Sequence, residues 1–180
     1  MVTPSSETET SGPIAGQLVF TDNNEIVTVK VAASTKIILG QVVTFDASGN
    51  AVLATNSVGS QYDGYGIACF NPNSPISSQT ATIDNSSGAA GDLLVQVAVG
   101  NTYVYSKANG NIKYQSAVTP GAGSYLGATT IPSSVTNSAS IVTALNKFAL
   151  IAGRYYGHAK EEKTPTAAVS SDIIAVRLGL

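Results

Sequence analysis

Residue types that commonly carry catalysis or bind metals are sparse in this sequence. His158 is the only histidine and Cys69 the only cysteine among 180 residues, so Ser-His-Asp or Cys-His catalysis would have to pass through His158. One imidazole and one thiolate do not fill a tetrahedral zinc shell without additional carboxylates. We therefore interpret His158 as a solvated loop residue and Cys69 as a small buried hydrophobe, and we expect no enzyme activity, no metal and no cofactor.

The carboxylates and glycines carry no recognisable catalytic or nucleotide-binding pattern. Five of the eleven acidic residues, Asp22, Asp46, Asp63, Asp84 and Asp92, lie where turns or strand starts are expected. Aspartate has a local reason to be there, because its side chain bonds the turn backbone. The glycines match neither a phosphate-binding loop nor a dinucleotide fingerprint.

Tyrosine is the aromatic residue that this sequence favours, with eight copies and no tryptophan. A phenol offers apolar area with a polar tip, which suits a sugar-stacking platform or a protein interface. Packing between neighbouring strands explains the same residues, and the alternatives stay open at this point. The tyrosines are Tyr62, Tyr65, Tyr103, Tyr105, Tyr114, Tyr125, Tyr155 and Tyr156.

Charge is low throughout the chain. Charged residues make up 11% of the sequence and the net charge is −2, whereas an average soluble domain has about 25% charged residues. This balance favours extracellular, surface-coat or capsid β-proteins and offers no basic footprint for nucleic acid. Residues 1–29 contain neither Lys nor Arg and no apolar core of a signal peptide, and no window of the chain is apolar for long enough to span a membrane.

The clearest periodicity lies in residues 92–115. Val95, Val97 and Val99 alternate with more polar positions, which is typical of an extended strand with one apolar face. The pairs Gly100-Asn101 and Asn109-Gly110 suit tight reversals. This stretch therefore predicts a three-stranded antiparallel meander.

The remaining chain reads as short strands separated by turns. Residues 37–45 predict one buried or bulged strand, and residues 65–70 and 173–178 predict two more. Residues 138–147 predict the only helix, while residues 119–124 predict a flexible excursion. About ten such strands indicate an all-β fold, a small barrel or β-tulip with long loops, as a single domain over residues 17–180.

The first sixteen residues differ from the rest in composition. They are rich in Ser, Thr, Glu and Pro and do not bury enough apolar surface to offset the entropy of ordering them. We expect residues 1–16 to form an extended N-terminal arm, disordered in isolation and held by a neighbouring subunit or another partner.

Five segments carry a resemblance to a known family. In order they are residues 40–52 (GQVVTFDASGNAV), 64–68 (GYGIA), 91–100 (GDLLVQVAVG), 103–104 (YV) and 172–176 (DIIAV). Together they resemble the small head-decoration proteins of tailed viruses, relatives of the phage lambda head-stabilising protein. The similarity extends over residues 26–178 as a pattern of strands and turns.

The resemblance implies a β-barrel that binds as a homotrimer to the major capsid protein, on the outer surface of the virion. The arm would clamp neighbouring capsomers, and residues 71–85 and 120–137, where this chain is longer, would face outward or contact neighbouring trimers. The alternative is a carbohydrate-binding or adhesin-like module that uses surface tyrosines. The capsid-contact candidates are Val2, Thr3, Pro4, Pro13, Ile14 and Leu18, and the trimer or outer-surface candidates are Tyr103, Tyr105, Tyr155 and Tyr156.

Overall fold

Short runs of β-branched and aromatic residues form twelve strands in the part of the chain that the computed structural model describes, residues 12–20, 24–55, 64–128, 152–157 and 166–179. Most of the strands are three to six residues long, and tight turns separate many of them. They are β1 Glu25–Lys30, β2 Thr35–Ile38, β3 Val42–Phe45, β4 Ala51–Leu53, β5 Gly66–Cys69, β6 Thr82–Asn85, β7 Leu94–Val99, β8 Tyr103–Lys107, β9 Ala117–Pro120, β10 Leu126–Ala128, β11 Gly153–Gly157 and β12 Ile173–Leu178.

The strands assemble into three sheets. The inner sheet has five strands in the order β1-β7-β5-β3-β4, and the outer sheet has five in the order β10-β9-β11-β12-β8. Strands β2 and β6 form a separate two-stranded sheet. Every strand pair is antiparallel, and three of the nine pairs, β3–β4, β9–β10 and β11–β12, join strands that are consecutive in the chain.

The inner sheet is the middle layer, because its side chains enter two different cores. Ile67 and Cys69 on β5 point toward the outer sheet and join a core that includes Ile174 and Val176 of β12. Ala68, between them, points the other way and joins the core shared with β2. Burial on both faces explains why β3 and β5 read as nearly continuous apolar runs.

Helical structure is minor in the described residues. Two 3-10 helices occur, Ile76–Ser78 and Ala122–Ser124. The helix predicted over residues 138–147 lies outside the described residues. No helix in the described ranges has the length and apolarity to cross a membrane.

The all-β prediction is confirmed, with twelve strands where about ten were expected. The strand predicted over residues 65–70 is present as β5, and the strand predicted over residues 173–178 is present as β12 with the same bounds. Both strands have a short apolar sequence bounded by turns, so the local pattern was sufficient to find them.

The predicted meander over residues 92–115 is wrong. Strand β7 pairs with β1 and β5 in the inner sheet, whereas β8 pairs with β12 in the outer sheet. Gly100, with φ of 61°, makes a tight turn, but that turn passes the chain from one sheet to the other. Beyond β8 the expected third strand is reduced to an isolated bridge between Ile112 and Ala168.

The single strand predicted over residues 37–45 is also wrong. The chain forms β2 and β3 in different sheets, with a turn at Gly40 between them. Gly40 has φ of 92°, a left-handed conformation that glycine adopts without steric cost. A Cβ atom at Gly40 would lie 2.4 Å from the Cβ of Ala15, so the N-terminal segment needs a glycine here. The expected flexible excursion from residue 119 likewise begins inside the buried strand β9.

Candidate interaction surface

The residues considered for catalysis do not form a reactive site in the described residues. Cys69 is 2% exposed, and burial raises the pKa of its thiol to about 12, so the sulfur stays protonated and shielded at neutral pH. His158 lies outside the described residues. Within the described ranges, no cluster of three or more His, Cys, Asp and Glu side chains is placed to hold a metal ion.

The N-terminal segment, defined as residues 12–20, lies along the free edge of β8. The Gly16 amide donates to the Tyr105 carbonyl at 2.7 Å, and the Tyr105 amide donates to the Gln17 carbonyl at 2.8 Å. The Val19 amide donates to the Tyr103 carbonyl at 3.0 Å. The segment therefore continues the outer sheet beyond β8, which protects an edge that would otherwise pair with other chains.

The same segment also contacts the inner sheet. The Phe70 amide, just after β5, donates to the Gly16 carbonyl at 2.8 Å, and Ala15 lies against Gly40. The Ser106 hydroxyl of β8 donates to the Gly40 carbonyl at 2.6 Å. Residues 15 and 16 thus help to hold the two five-stranded sheets together and enter the fold from the inner-sheet side.

The predicted capsid-contact residues fall into two groups. Val2, Thr3 and Pro4 lie outside the described residues. Ile14 is 37% exposed, whereas Leu18 packs against the core between the two five-stranded sheets. Pro13, a third candidate, is half-buried near the start of the N-terminal segment. Capsid contact by any of these residues stays a prediction.

The four tyrosines predicted at a trimer interface or outer surface do not share one environment. Tyr105 and Tyr155 are 5% and 1% exposed, and the Tyr155 hydroxyl donates to the Thr166 carbonyl at 2.8 Å. Tyr155 lies in the core between the two five-stranded sheets, whereas Tyr105 is on the outward face of the outer sheet and is buried there with Val19 and Ala175. Tyr103 is half-buried and Tyr156 is exposed, so surface contact stays a prediction for these two.

Three aromatic rings meet on the face of the outer sheet that points away from the inner sheet. The Tyr103 ring lies 5.3 Å from the Phe20 ring and 5.0 Å from the Tyr156 ring, measured between centroids. Both contacts are edge-to-face, with interplanar angles of 78° and 74°. Phe20 and Tyr156 are each more than a third exposed, so the cluster presents apolar ring surface to the exterior.

A backbone irregularity occurs at Tyr156 of this cluster. Tyr155 is opposite Val176 and Gly157 is opposite Ala175, so Tyr156 is an extra residue in β11 with no partner on β12. A β-bulge of this kind bends the strand and redirects a side chain. Tyr155 points into the core and Tyr156 points outward to Tyr103, as adjacent residues of a strand do, and the bulge follows Tyr155.

Two arginines lie beside the aromatic cluster on the same face. In the strand register Arg177 of β12 is opposite Tyr103 on one side and Arg154 of β11 on the other. The close approach of β11 and β12 depends on Gly153, where a Cβ atom would lie 2.3 Å from the Arg177 carbonyl oxygen. Both arginines are exposed. We call the five residues Phe20, Tyr103, Arg154, Tyr156 and Arg177 the aromatic–arginine face.

Each guanidinium group has a neutral partner. Arg154 Nη1 donates to the Gln115 carbonyl at 3.2 Å, and Arg177 Nη2 donates to Asn101 Oδ1 at 3.2 Å. Directly opposed like charges destabilise an antiparallel pair, and a neutral oxygen compensates a positive charge less than a carboxylate does. Among the described residues, the two arginines of this face therefore have neutral hydrogen-bond partners and no carboxylate partner.

Sequence analysis missed the two arginines of this face. Each arginine sits between buried residues in its strand, and that alternation was visible in the sequence. Their juxtaposition depends on the register in which β11 pairs with β12, and local sequence does not reveal that register.

Comparison with known proteins identifies the fold. No protein family and no curated protein sequence matches this chain. Among solved structures, a chain from the capsid of the myovirus phage XM1 is 17% identical with a TM-score of 0.53, covering 98% of this chain and 96% of that one. The N base of the head fiber of bacteriophage phi29 is 13% identical with a TM-score of 0.42, covering 86% of this chain and 95% of that one.

The first of these likenesses shows a shared fold over nearly the whole chain. This chain therefore has the fold of a protein found in a phage capsid. Its relationship to the phage lambda head-stabilising protein stays a prediction.

Proposed function

We propose that this chain is a structural protein of a virion that decorates and stabilises an icosahedral capsid. It binds as a homotrimer to the outer surface of the major capsid protein shell, and its N-terminal arm clamps neighbouring capsomers. The observation that carries the proposal is the fold shared over 98% of this chain with a chain of the phage XM1 capsid. The low charge and the polar first sixteen residues are consistent with this role.

The proposed mechanism is mechanical and involves no bond-making. A capsid under internal pressure opens where capsomers separate. A protein that binds only the closed arrangement of capsomers adds its binding free energy to that state, by the same linkage that stabilises any bound form. Many copies on one shell multiply the effect of a modest affinity for each site.

The N-terminal segment supports the proposed clamp. Its residues 16–19 are bound to the edge of β8 and to Phe70, so they anchor whatever precedes them to the folded body. Residues 1–11 precede this anchor in the chain, so a force applied to them would be transmitted to both five-stranded sheets. A chain anchored in this way can resist separation of two capsomers without a large interface of its own.

Removal of residues 1–11 tests the clamp. The truncation ends at residue 11 because Ala15 and Gly16 contact the fold and their loss would destabilise it. We expect the shortened chain to keep its circular dichroism spectrum and its urea midpoint, while its affinity for capsids assembled without this protein falls by about tenfold or more. A full-length chain with the same first eleven residues in permuted order is the matched control for length and composition.

The outcomes of this experiment separate the parts of the proposal. Undiminished capsid binding by the truncated chain would remove the clamp. Failure of the full-length chain to bind capsids at all would remove the decoration function. Equal binding by the permuted control and the natural chain would mean that the arm acts through its composition and length alone.

A carbohydrate-binding module is the second candidate, and the exposed ring surface of the aromatic–arginine face favours it. Sugars stack on exposed aromatic faces, but here Tyr103 meets both neighbouring rings edge to face, so the three rings do not form one flat platform. A glycan array probed with the purified chain discriminates the candidates. Specific glycan binding that Tyr156→Ala abolishes would favour the second one.

A further inference from the structure

The aromatic–arginine face has charge but no carboxylate partner among the described residues. The one ion pair in the described ranges joins Lys36 Nζ and Asp84 Oδ2 at 3.0 Å, in the two-stranded sheet. Within the same ranges, the hydrogen bonds of the Arg154 and Arg177 guanidinium groups go to neutral oxygens. Arginine and tyrosine are enriched where a few residues dominate a protein interface, so this face has the composition of a contact surface as well as an unbalanced charge.

The acidic side chains of the described residues are engaged elsewhere. Four aspartates accept hydrogen bonds from groups within four residues of their own position, and the carboxylate of Glu25 lies over Gly100. A partner for the arginines therefore has to come from outside the described part of the chain or from another molecule. The four aspartates are Asp46, Asp84, Asp92 and Asp172.

Residues 1–11 contain a matching pair of carboxylates. Glu7 and Glu9 are separated by one residue, and no Lys or Arg occurs before Lys30. In an extended chain, residues two apart project to the same side at a spacing of about 7 Å. Arg154 and Arg177 are directly opposed on adjacent strands, a placement that puts Cα atoms about 5 Å apart. Two long guanidinium side chains easily reach two carboxylates at that spacing.

We propose that the aromatic–arginine face of one copy binds the Glu7–Glu9 segment of a second copy. Residues 15 and 16 of the N-terminal segment lie against Gly40 and Phe70, on the inner-sheet side of β8. The aromatic–arginine face is on the opposite side of the outer sheet. The geometry thus favours an arm from a neighbour, with Glu7 and Glu9 on the arginines and the intervening Thr8 beside the aromatic rings.

Reversal of charge on each side tests this contact in trans. The first variant carries Arg154→Glu and Arg177→Glu, and the second carries Glu7→Arg and Glu9→Arg. Sedimentation velocity of the purified full-length chain, at low and at high salt, gives the association constant. We expect the natural chain to self-associate and each variant alone to associate about tenfold more weakly or worse, because every arm then meets a face of like charge.

An equal mixture of the two variants should restore association to near the natural level. In the mixture, acidic arms meet arginine faces and arginine arms meet glutamate faces, so both kinds of contact regain opposite charges. Higher salt should weaken the natural chain and the mixture alike. Circular dichroism and urea midpoints establish that both variants are folded. The control variant, Glu161→Gln with Glu162→Gln, should associate like the natural chain.

Four results would overturn the inference. They are a natural chain that stays monomeric at every concentration, a Glu7→Arg/Glu9→Arg variant that associates normally, a mixture that fails to recover, and a control variant that loses association. The inference rests on the proposed function only for the expectation that copies associate. The measurement uses free protein without capsids, so a negative result does not bear on capsid decoration. Conversely, a chain that self-associates but does not bind capsids would contradict decoration and leave the contact between copies unaffected.

Discussion

Tyr155 and Tyr156 are adjacent in sequence but lie on opposite faces of the outer sheet. Tyr155 is 1% exposed, with its ring in the core between the two five-stranded sheets and its hydroxyl bonded to the Thr166 carbonyl. Tyr156 is 38% exposed, and its ring meets the Tyr103 ring edge to face. The core-facing side of the sheet serves stability, whereas the outward side is buried around Tyr105 and Ala175 and exposed at Tyr156 and the two arginines.

The largest effect that separates the two faces is expected from Tyr155→Ala. The substitution removes a fully buried ring together with its hydrogen bond to the Thr166 carbonyl, which should cost about 3–5 kcal/mol of unfolding free energy. Urea denaturation followed by circular dichroism measures the loss. Tyr155→Phe is the matched control and should cost about 1 kcal/mol, because it keeps the ring and loses only the hydrogen bond. A loss below 1 kcal/mol for Tyr155→Ala would contradict the assignment of this ring to the core.

The two tyrosines also show how far the sequence could lead. The pattern of alternation in residues 173–178 and 65–70 was enough to find β12 and β5, because a buried strand needs only local apolar residues between turns. The same period of two separates Tyr155 from Tyr156. Grouping these residues by type alone hid a difference that their positions in the strand already contained.

Pairing between strands was the part that local sequence did not reveal. Residues 94–99 and 103–107 are both strands, as predicted, yet the short turn between them leads into a different sheet. A reversal at Gly100 has the same local chemistry in a hairpin and in a passage between layers. The choice is made by distant residues, since β7 is buried between β1 and β5 and β8 has its partner in β12.

The aromatic–arginine face was predicted only in part, because residue type and local pattern do not reveal which strands pair. Tyr103 and Tyr156 were identified by residue type, whereas the two arginines were not, because an isolated arginine in a strand carries no signal of its own. Only the register that places Arg177 between Tyr103 and Arg154 turns five separated residues into one surface.

A smaller effect is expected from Tyr156→Ala on the outward face. The substitution removes the ring, its edge-to-face contact with Tyr103 and the area that the ring buries. The unfolding free energy should therefore fall by about 0.5–1.5 kcal/mol. Self-association should also weaken. The lower stability does not account for this, because nearly all of the variant remains folded. Urea denaturation and sedimentation velocity on the same preparation measure the two effects. Tyr156→Phe should restore both, and a Tyr156→Ala variant as unstable as Tyr155→Ala would remove the distinction between the faces.

The smallest expected effect concerns acid stability and lies away from both faces of the outer sheet, at Asp84 in the two-stranded sheet. Hydrogen bonds from the Ser86 hydroxyl and backbone, together with the Lys36 ammonium at 3.0 Å, lower the pKa of Asp84 to about 2. Because the pKa is lower in the folded chain than in the unfolded one, the ionised carboxylate stabilises the fold above about pH 4, and this contribution is lost as the pH falls toward 2.

Asp84→Asn should therefore flatten the dependence of the urea midpoint on pH between about 4 and 2 without abolishing it. Asp46 keeps part of the dependence, because hydrogen bonds from Asn50 lower its pKa as well. Measurement at low protein concentration isolates the folding equilibrium from self-association and leaves the exposed Lys36–Asp84 pair unscreened. If the urea midpoints of Asp84→Asn and the natural chain depend on pH in the same way, groups other than Asp84 cause the acid sensitivity. A steeper curve for the variant would contradict the sign of the pKa shift.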